Sequence, residues 1–144
     1  MTTLFTRIID GEIPAHFVWQ DETCVAFLVI DPMTDGHTIV VPRQEVDSWL
    51  DADADLVTHL TLVAQQIGKA QQAAWSSARV GLLVEGFLVP HLHLHVWPAN
   101  SVEDFDPHDV THGQDQKILA ANAARLRAAL RDQGAGEAVP AEPA

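Results

Sequence analysis

The chain has one cysteine, Cys24, so no internal disulfide can form and a reducing cytoplasm is the expected setting. Cys24 opens the apolar run Cys24-Val-Ala-Phe-Leu-Val-Ile30, where it reads as a small buried hydrophobe rather than a nucleophile. No apolar stretch approaches the ~18–20 residues that a bilayer span needs. The first residues, Met1-Thr-Thr-Leu-Phe-Thr-Arg7, lack the apolar core of a signal peptide. Cations are also scarce: 8 Lys and Arg stand against 20 Asp and Glu, for a net charge of −12. The few basic residues are scattered, so no surface is expected for polymeric nucleic acid, and anionic membranes are disfavoured. A small phosphate ester remains open, because backbone N–H groups and imidazoles can hold one locally. No internal repeat is visible.

At 144 residues, with 47% hydrophobic and 19% charged residues, the chain suits one globular unit with a real core. Leu4, Phe5, Ile8 and Ile9 have helical spacing, ended by Gly11 and Pro14. Phe17–Trp19 and Cys24–Ile30 read as a hairpin around Asp21–Thr23, and His37–Val41 as a further strand after the turn cluster Asp31–Gly36. Asp51 or Asp53 caps a long helix to about Ala74, with one stripe through Leu56, Leu60, Val63, Ile67 and Ala70. Arg79–Val84 and Leu92–Trp97 read as a strand pair around Glu85 and Gly86, and Gln114 to Arg131 as a second long helix. The expected fold class is therefore α+β, an antiparallel sheet with helices on one side. The stretch from Gln133 on, small, Pro/Gly-rich and acidic, is expected to be disordered.

The informative run is Val89-Pro-His-Leu-His-Leu-His-Val-Trp97. Its period of two is that of a strand, which packs Leu92, Leu94 and Val96 inward and projects His91, His93 and His95 from the other face. Ring attachments roughly 6.5–7 Å apart can serve one centre. The three could form a solvated polar face. They could ligate zinc, as alternate strand histidines do in some enzymes. Or a central histidine, flanked by two that set its tautomer and supply protons, could attack phosphorus through a covalent intermediate. His37, at the start of another strand, could complete the cluster. His16, His59, His108 and His112 lack such context and read as surface residues.

The run His91-Leu-His-Leu-His-Val-Trp97 resembles the signature of the histidine triad (HIT) family, His-φ-His-φ-His-φ-φ with φ apolar. Leu4-Phe-Thr-Arg-Ile-Ile-Asp-Gly-Glu-Ile-Pro14, Ala26-Phe-Leu-Val-Ile-Asp-Pro32 and Gly36-His-Thr-Ile-Val-Val-Pro42 are similar to its preceding motifs, most like its Hint branch. The likeness covers roughly residues 4–99, and with the reading of the C-terminal residues it gives an expected HIT domain over 1–112, a C-terminal helical extension over 113–131 and a disordered acidic tail over 132–144. It implies a five-stranded antiparallel sheet with a short N-terminal helix, a long helix and a C-terminal helix, paired as a homodimer. It also implies hydrolysis or transfer at the α-phosphate of a small nucleotide, such as a nucleoside phosphoramidate, without a cofactor. A binding protein with little turnover, or a dinucleoside polyphosphate hydrolase, would share these motifs.

By position, His93 corresponds to the family's nucleophile, and His95 to the residue that contacts phosphate oxygens and assists the leaving group. His91, with His37 behind it, corresponds to the residue that orients the nucleophile. Leu4, Phe5, Ile8, Phe27 and Ile30 correspond to base-pocket positions, and Leu88 and Val89, just before the triad, are further expected nucleotide-binding residues. The chain departs from the family in three places. Val29 stands where relatives place a ribose-binding aspartate, and Asp31, two residues on along the same expected strand face, is the candidate replacement. Leu88 stands where a leaving-group hydroxyl is usual, in a segment that is shortened. Thr3 and Thr6 stand where zinc-binding relatives carry cysteines, so no structural metal is expected.

Overall fold

The computed structural model describes residues 2–141. In chain order the elements are α1 (Leu4–Ile9), β1 (Phe17–Gln20), β2 (Cys24–Leu28), β3 (Thr38–Pro42), α2 (Ala54–Trp75), β4 (Arg79–Leu83), β5 (Leu94–Ala99) and α3 (Gln116–Asp132). The five strands form one antiparallel sheet in the order β1-β2-β3-β5-β4. Asp21 turns the first hairpin by accepting the N–H groups of Thr23 and Cys24, each at 2.8 Å. Asp53 caps α2 by accepting the Leu56 N–H at 2.8 Å.

Alternation along the strands divides the interior in two. Cys24, Ala26, Leu28, Val40, Leu94 and Val96 face α2 and α3, where Leu60, Ile67, Leu126 and Leu130 complete the main core. Val25, Phe27, Ile39 and Val41 face the other way and bury Phe5 and Ile8 of α1. The expectation of helices on one side therefore holds for α2 and α3 but not for α1. Its stripe shows that α1 is buried without showing against which face.

Two further expectations change. α3 packs against α2 and β1 and contributes Leu119, Ala123, Leu126 and Leu130 to the main core, so the segment closes the core rather than extending from it. The stretch expected to be a disordered tail continues as a 3-10 turn at Gly136–Ala138, and Ala135, Ala138 and Val139 rest on that core. Three small apolar side chains are enough to dock it, despite the acidic composition. The tail's last residues, 142–144, lie outside the described residues.

Gln71 and Trp75 of α2 hold the turn before His37. The buried Gln71 of α2 donates through Nε2 to the carbonyls of Gly36 (2.9 Å) and Val96 (3.0 Å), tying turn, helix and β5 together. Gly36 lies at φ +87°, with the Trp75 ring where a Cβ would stand, so no larger residue fits there.

Candidate functional site

His95 shares its row of the sheet with Ile39 and Leu83, its antiparallel partners, and so faces the α1 side. It is the only histidine of the run that lies inside β5. Pro90 has no N–H, and Leu92 gives its own N–H to the Val46 carbonyl (2.7 Å) rather than to a neighbouring strand. The extended lead-in still alternates: Leu92 is in the main core while His91 and His93 point to the α1 face. There the edge of Phe5 meets both rings, with centroids 5.7 Å from His91 and 4.9 Å from His93. The rings of His93 and His95 are also 4.9 Å apart.

Main-chain groups decide where each imidazole proton sits. The Pro42 carbonyl can only accept, so His91 Nε2 carries a proton toward it at 2.7 Å. The His91 carbonyl likewise takes a proton from His93 Nδ1 at 2.7 Å, which leaves the lone pair of His93 on Nε2. The Met33 N–H donates to His37 Nδ1 (3.1 Å), so the His37 proton is on Nε2 and points to His95 Nδ1 (2.9 Å). The remaining His95 proton is then on Nε2, a buried atom with no hydrogen-bond partner among the described residues. His37 was expected behind His91 but stands behind His95. It immediately precedes β3, next to Thr38, whose strand partner is Val96 of β5.

Burial keeps the rings of His37, His93 and His95 neutral. It lowers His37 to about 3 and His95 to about 4, with a smaller push from each ring's neighbouring histidine. His93 is also lowered, mainly by burial and partly against the hydrogen bond to His91. A neutral ring with its lone pair exposed at Nε2 lies beside a neutral ring presenting an unused N–H. The first can act as a nucleophile, and the second can donate to a developing negative charge.

Around this centre the expected residues divide. Phe5, Ile8 and Phe27 are buried together, with Val89 packed against them. Leu4 and Ile30 are exposed, and Leu88 is 92% exposed. Asp31 does not share a strand face with Val29, because β2 stops at Leu28. Asp31 Oδ1 instead accepts the Gly113 N–H at 2.7 Å, which binds the turn to the loop before α3. Beside His93 lies a small cavity of about 90 Å³ lined by Asp47, Ser48, Trp49 and Glu85, with no Lys or Arg among its walls.

Of the remaining histidines, His108 and His112 are exposed, whereas His16 and His59 are half-buried. His59 Nε2 pairs with Asp21 Oδ2 at 2.8 Å. With Cys24 these two form the one trio of possible metal ligands gathered within 4.8 Å among the described residues. The Asp21 carboxylate there is already saturated by Trp19, Thr23, Cys24 and His59. Burial pushes the Cys24 thiol well above its usual range, as expected for a residue that packs rather than reacts.

The motifs read from the sequence did not include Glu45. Its Oε1 accepts the Thr3 N–H (2.9 Å) and the Thr6 hydroxyl (2.5 Å), and Thr3 Oγ1 lies 2.6 Å from His91 Nδ1. Thr3 and Thr6 were noted only as replacements for cysteine; nothing local marks Glu45, some forty residues away, as their partner.

Residues 10–102 match the family model for the HIT domain. An uncharacterized HIT-like protein of Borreliella burgdorferi is 33% identical over 109 residues, covering 71% of this chain and 78% of that protein. A zinc-bound histidine triad family protein of Mycobacterium smegmatis superposes with a TM-score of 0.81 at 25% identity, over 94% of this chain and 98% of the other. A hypothetical histidine triad nucleotide-binding protein of Sulfolobus tokodaii superposes with a TM-score of 0.80 at 25% identity, over 89% and 91%. A triad of histidines seated on this sheet, and a family model spanning the motifs around it, lead to one assignment: the chain belongs to the HIT family.

Proposed function

We propose that the protein hydrolyses or transfers the nucleotidyl group of a small nucleotide substrate, with His93 as nucleophile. The observation that carries this reading is the proton arrangement: a free lone pair on His93 Nε2 beside an unpartnered N–H on His95 Nε2. In the first step Nε2 bonds to the α-phosphorus while the bond to the leaving nitrogen breaks. The amine departs with that electron pair and takes a proton from solvent. Water then attacks phosphorus, loses a proton to solvent, and the bond to Nε2 returns its pair to the ring. His95 Nε2–H hydrogen-bonds a non-bridging oxygen in both steps.

Phe5, Ile8 and Phe27, with the more open Leu4, Ile30 and Val89, form the wall on which the base rests. Asp31 keeps one carboxylate oxygen for the ribose. Asp47 and Glu85 favour an amine leaving group over a polyphosphate, since two carboxylates beside His93 repel additional phosphates. As the family resemblance implies, the active form is a homodimer, and a reducing cytoplasm is its setting.

Replacing His93 with Ala should lower turnover of adenosine 5′-phosphoramidate by about a thousandfold or more, with an unchanged circular dichroism spectrum. Equal turnover in the variant sinks the proposal. One observation favours a second reading, a nucleotide-binding protein with little turnover: Leu88 offers no hydroxyl to a leaving group and points to solvent. Calorimetry with adenosine monophosphate beside a turnover assay separates the two, tight binding with no turnover supporting the second.

A further inference from the structure

The contacts of Thr3, Thr6 and Glu45 form a continuous chain that ends on the nucleophile. Thr3 Oγ1 accepts the Thr6 N–H at 3.1 Å as the cap of α1. Its own proton has two possible acceptors, Thr6 Oγ1 at 3.3 Å and His91 Nδ1 at 2.6 Å. The shorter contact is favoured because His91 Nε2 is committed as a donor to Pro42, which leaves a lone pair on Nδ1. The Thr6 hydroxyl is already directed to Glu45, so it has no proton to offer Thr3 in return. Glu45 therefore grips both threonines, at one main-chain N–H and one hydroxyl, and aims the Thr3 hydroxyl at His91. The two hydrogen bonds hold the Glu45 carboxyl below its ordinary range, Thr6 contributing most. His91 is fully buried and clamped at both ring nitrogens, and its carbonyl is the group that holds the proton on His93 Nδ1.

We propose that Glu45 is a positioning residue for the reaction, acting through Thr3 and His91 to keep the His93 lone pair on Nε2. The inference rests on the reading of His93 as nucleophile. Glu45 touches neither the substrate nor the reacting atoms. Its removal loosens the hydroxyl that holds His91, lets the His91 carbonyl shift, and allows the other His93 tautomer to be populated. In that tautomer the ring presents a proton where it should present a pair of electrons. The loss therefore falls on kcat, not on KM.

Glu45 is exposed, and its replacement leaves the Thr3 cap of α1 in place, so the variants are expected to fold. In Glu45→Ala, kcat for adenosine 5′-phosphoramidate should fall about tenfold with KM changed less than twofold. Glu45→Gln keeps the accepting oxygen and should restore most of the rate. The nitrogen-15 shifts of the His93 ring, which a purely structural role leaves alone, should move in Glu45→Ala toward a mixture of tautomers and return in Glu45→Gln. Wild-type kcat and unchanged His93 shifts in Glu45→Ala, with turnover still abolished by His93→Ala, overturn the role of Glu45 alone. Turnover that survives His93→Ala overturns the reading of the site, and the role of Glu45 with it.

Discussion

At the residue scale, burial keeps three imidazoles neutral, those of His37, His93 and His95. Because the folded pKa of His93 is below 6.5, its Nε2 lone pair remains available as pH falls through that value and is lost only further down. The acid limb of kcat/KM for a phosphoramidate substrate should therefore lie below pH 6.5. A limb centred at or above 6.5 would mean that water reaches the ring and the site is not closed around it. The alternating histidines were legible because a side-chain period of two survives in the lead-in as well as in the strand. Their hydrogen-bond partners were not legible. The main-chain ones are the carbonyl of Pro42 for His91 and that of His91 for His93, with the amide of Met33 holding His37 behind His95, and a main-chain group has no letter in a sequence. The order of the pairs was also hidden: His37 was expected behind His91, whereas β3 lies directly beside β5 and brings it to His95.

At the element scale, β4 and β5 meet closely because Gly81 has no side chain. The buried Trp97 ring, whose Nε1 donates to the Asp104 carbonyl at 2.9 Å, lies where a Cβ at position 81 would be, and Phe105 closes on the same point. Gly81→Ala should cost about 1–3 kcal/mol in urea unfolding, because it pushes a packed indole out of place beside the strand that carries His95. A neutral result would show that Trp97 has room to move. Strand and helix positions were readable from hydrophobic period and caps, as the stripe of α2 and its Asp53 cap show. The side of the sheet that α1 takes was not, because Phe5 and Ile8 would be equally apolar on either face. The docking of residues 135–139 was hidden for a different reason: Ala135, Ala138 and Val139 carry little signal, and their value comes from the surface that α2 and α3 present.

For the whole molecule, the same burial links acid to unfolding. His37 and His95 titrate near 3 and 4 when folded, against an ordinary 6.5 when the chain opens. Below pH 6.5 the unfolded chain binds protons that the folded one refuses, so the contribution of these rings is complete above 6.5 and is lost on the way down to about 4 for His95 and about 3 for His37. Asp21 adds to the loss only at lower pH. Burial works against its ionised form, but hydrogen bonds led by that from Trp19 outweigh it and bring the carboxyl to about 2. The melting temperature should therefore fall by several degrees between pH 7 and pH 5, before most carboxylates are protonated. Calorimetry at the two values tests this, and an equal or higher melting temperature at pH 5 contradicts it.

Substitution can replace any side chain, but it cannot delete a carbonyl, nor an amide except by writing proline. The protons of His37, His91 and His93 are set by such atoms, at Met33, Pro42 and His91. The proton arrangement of the four rings is thus less open to single substitutions than the side chains around it. A change of side chain at Val29 or Leu88 alters the surroundings of the site and leaves those protons where they are.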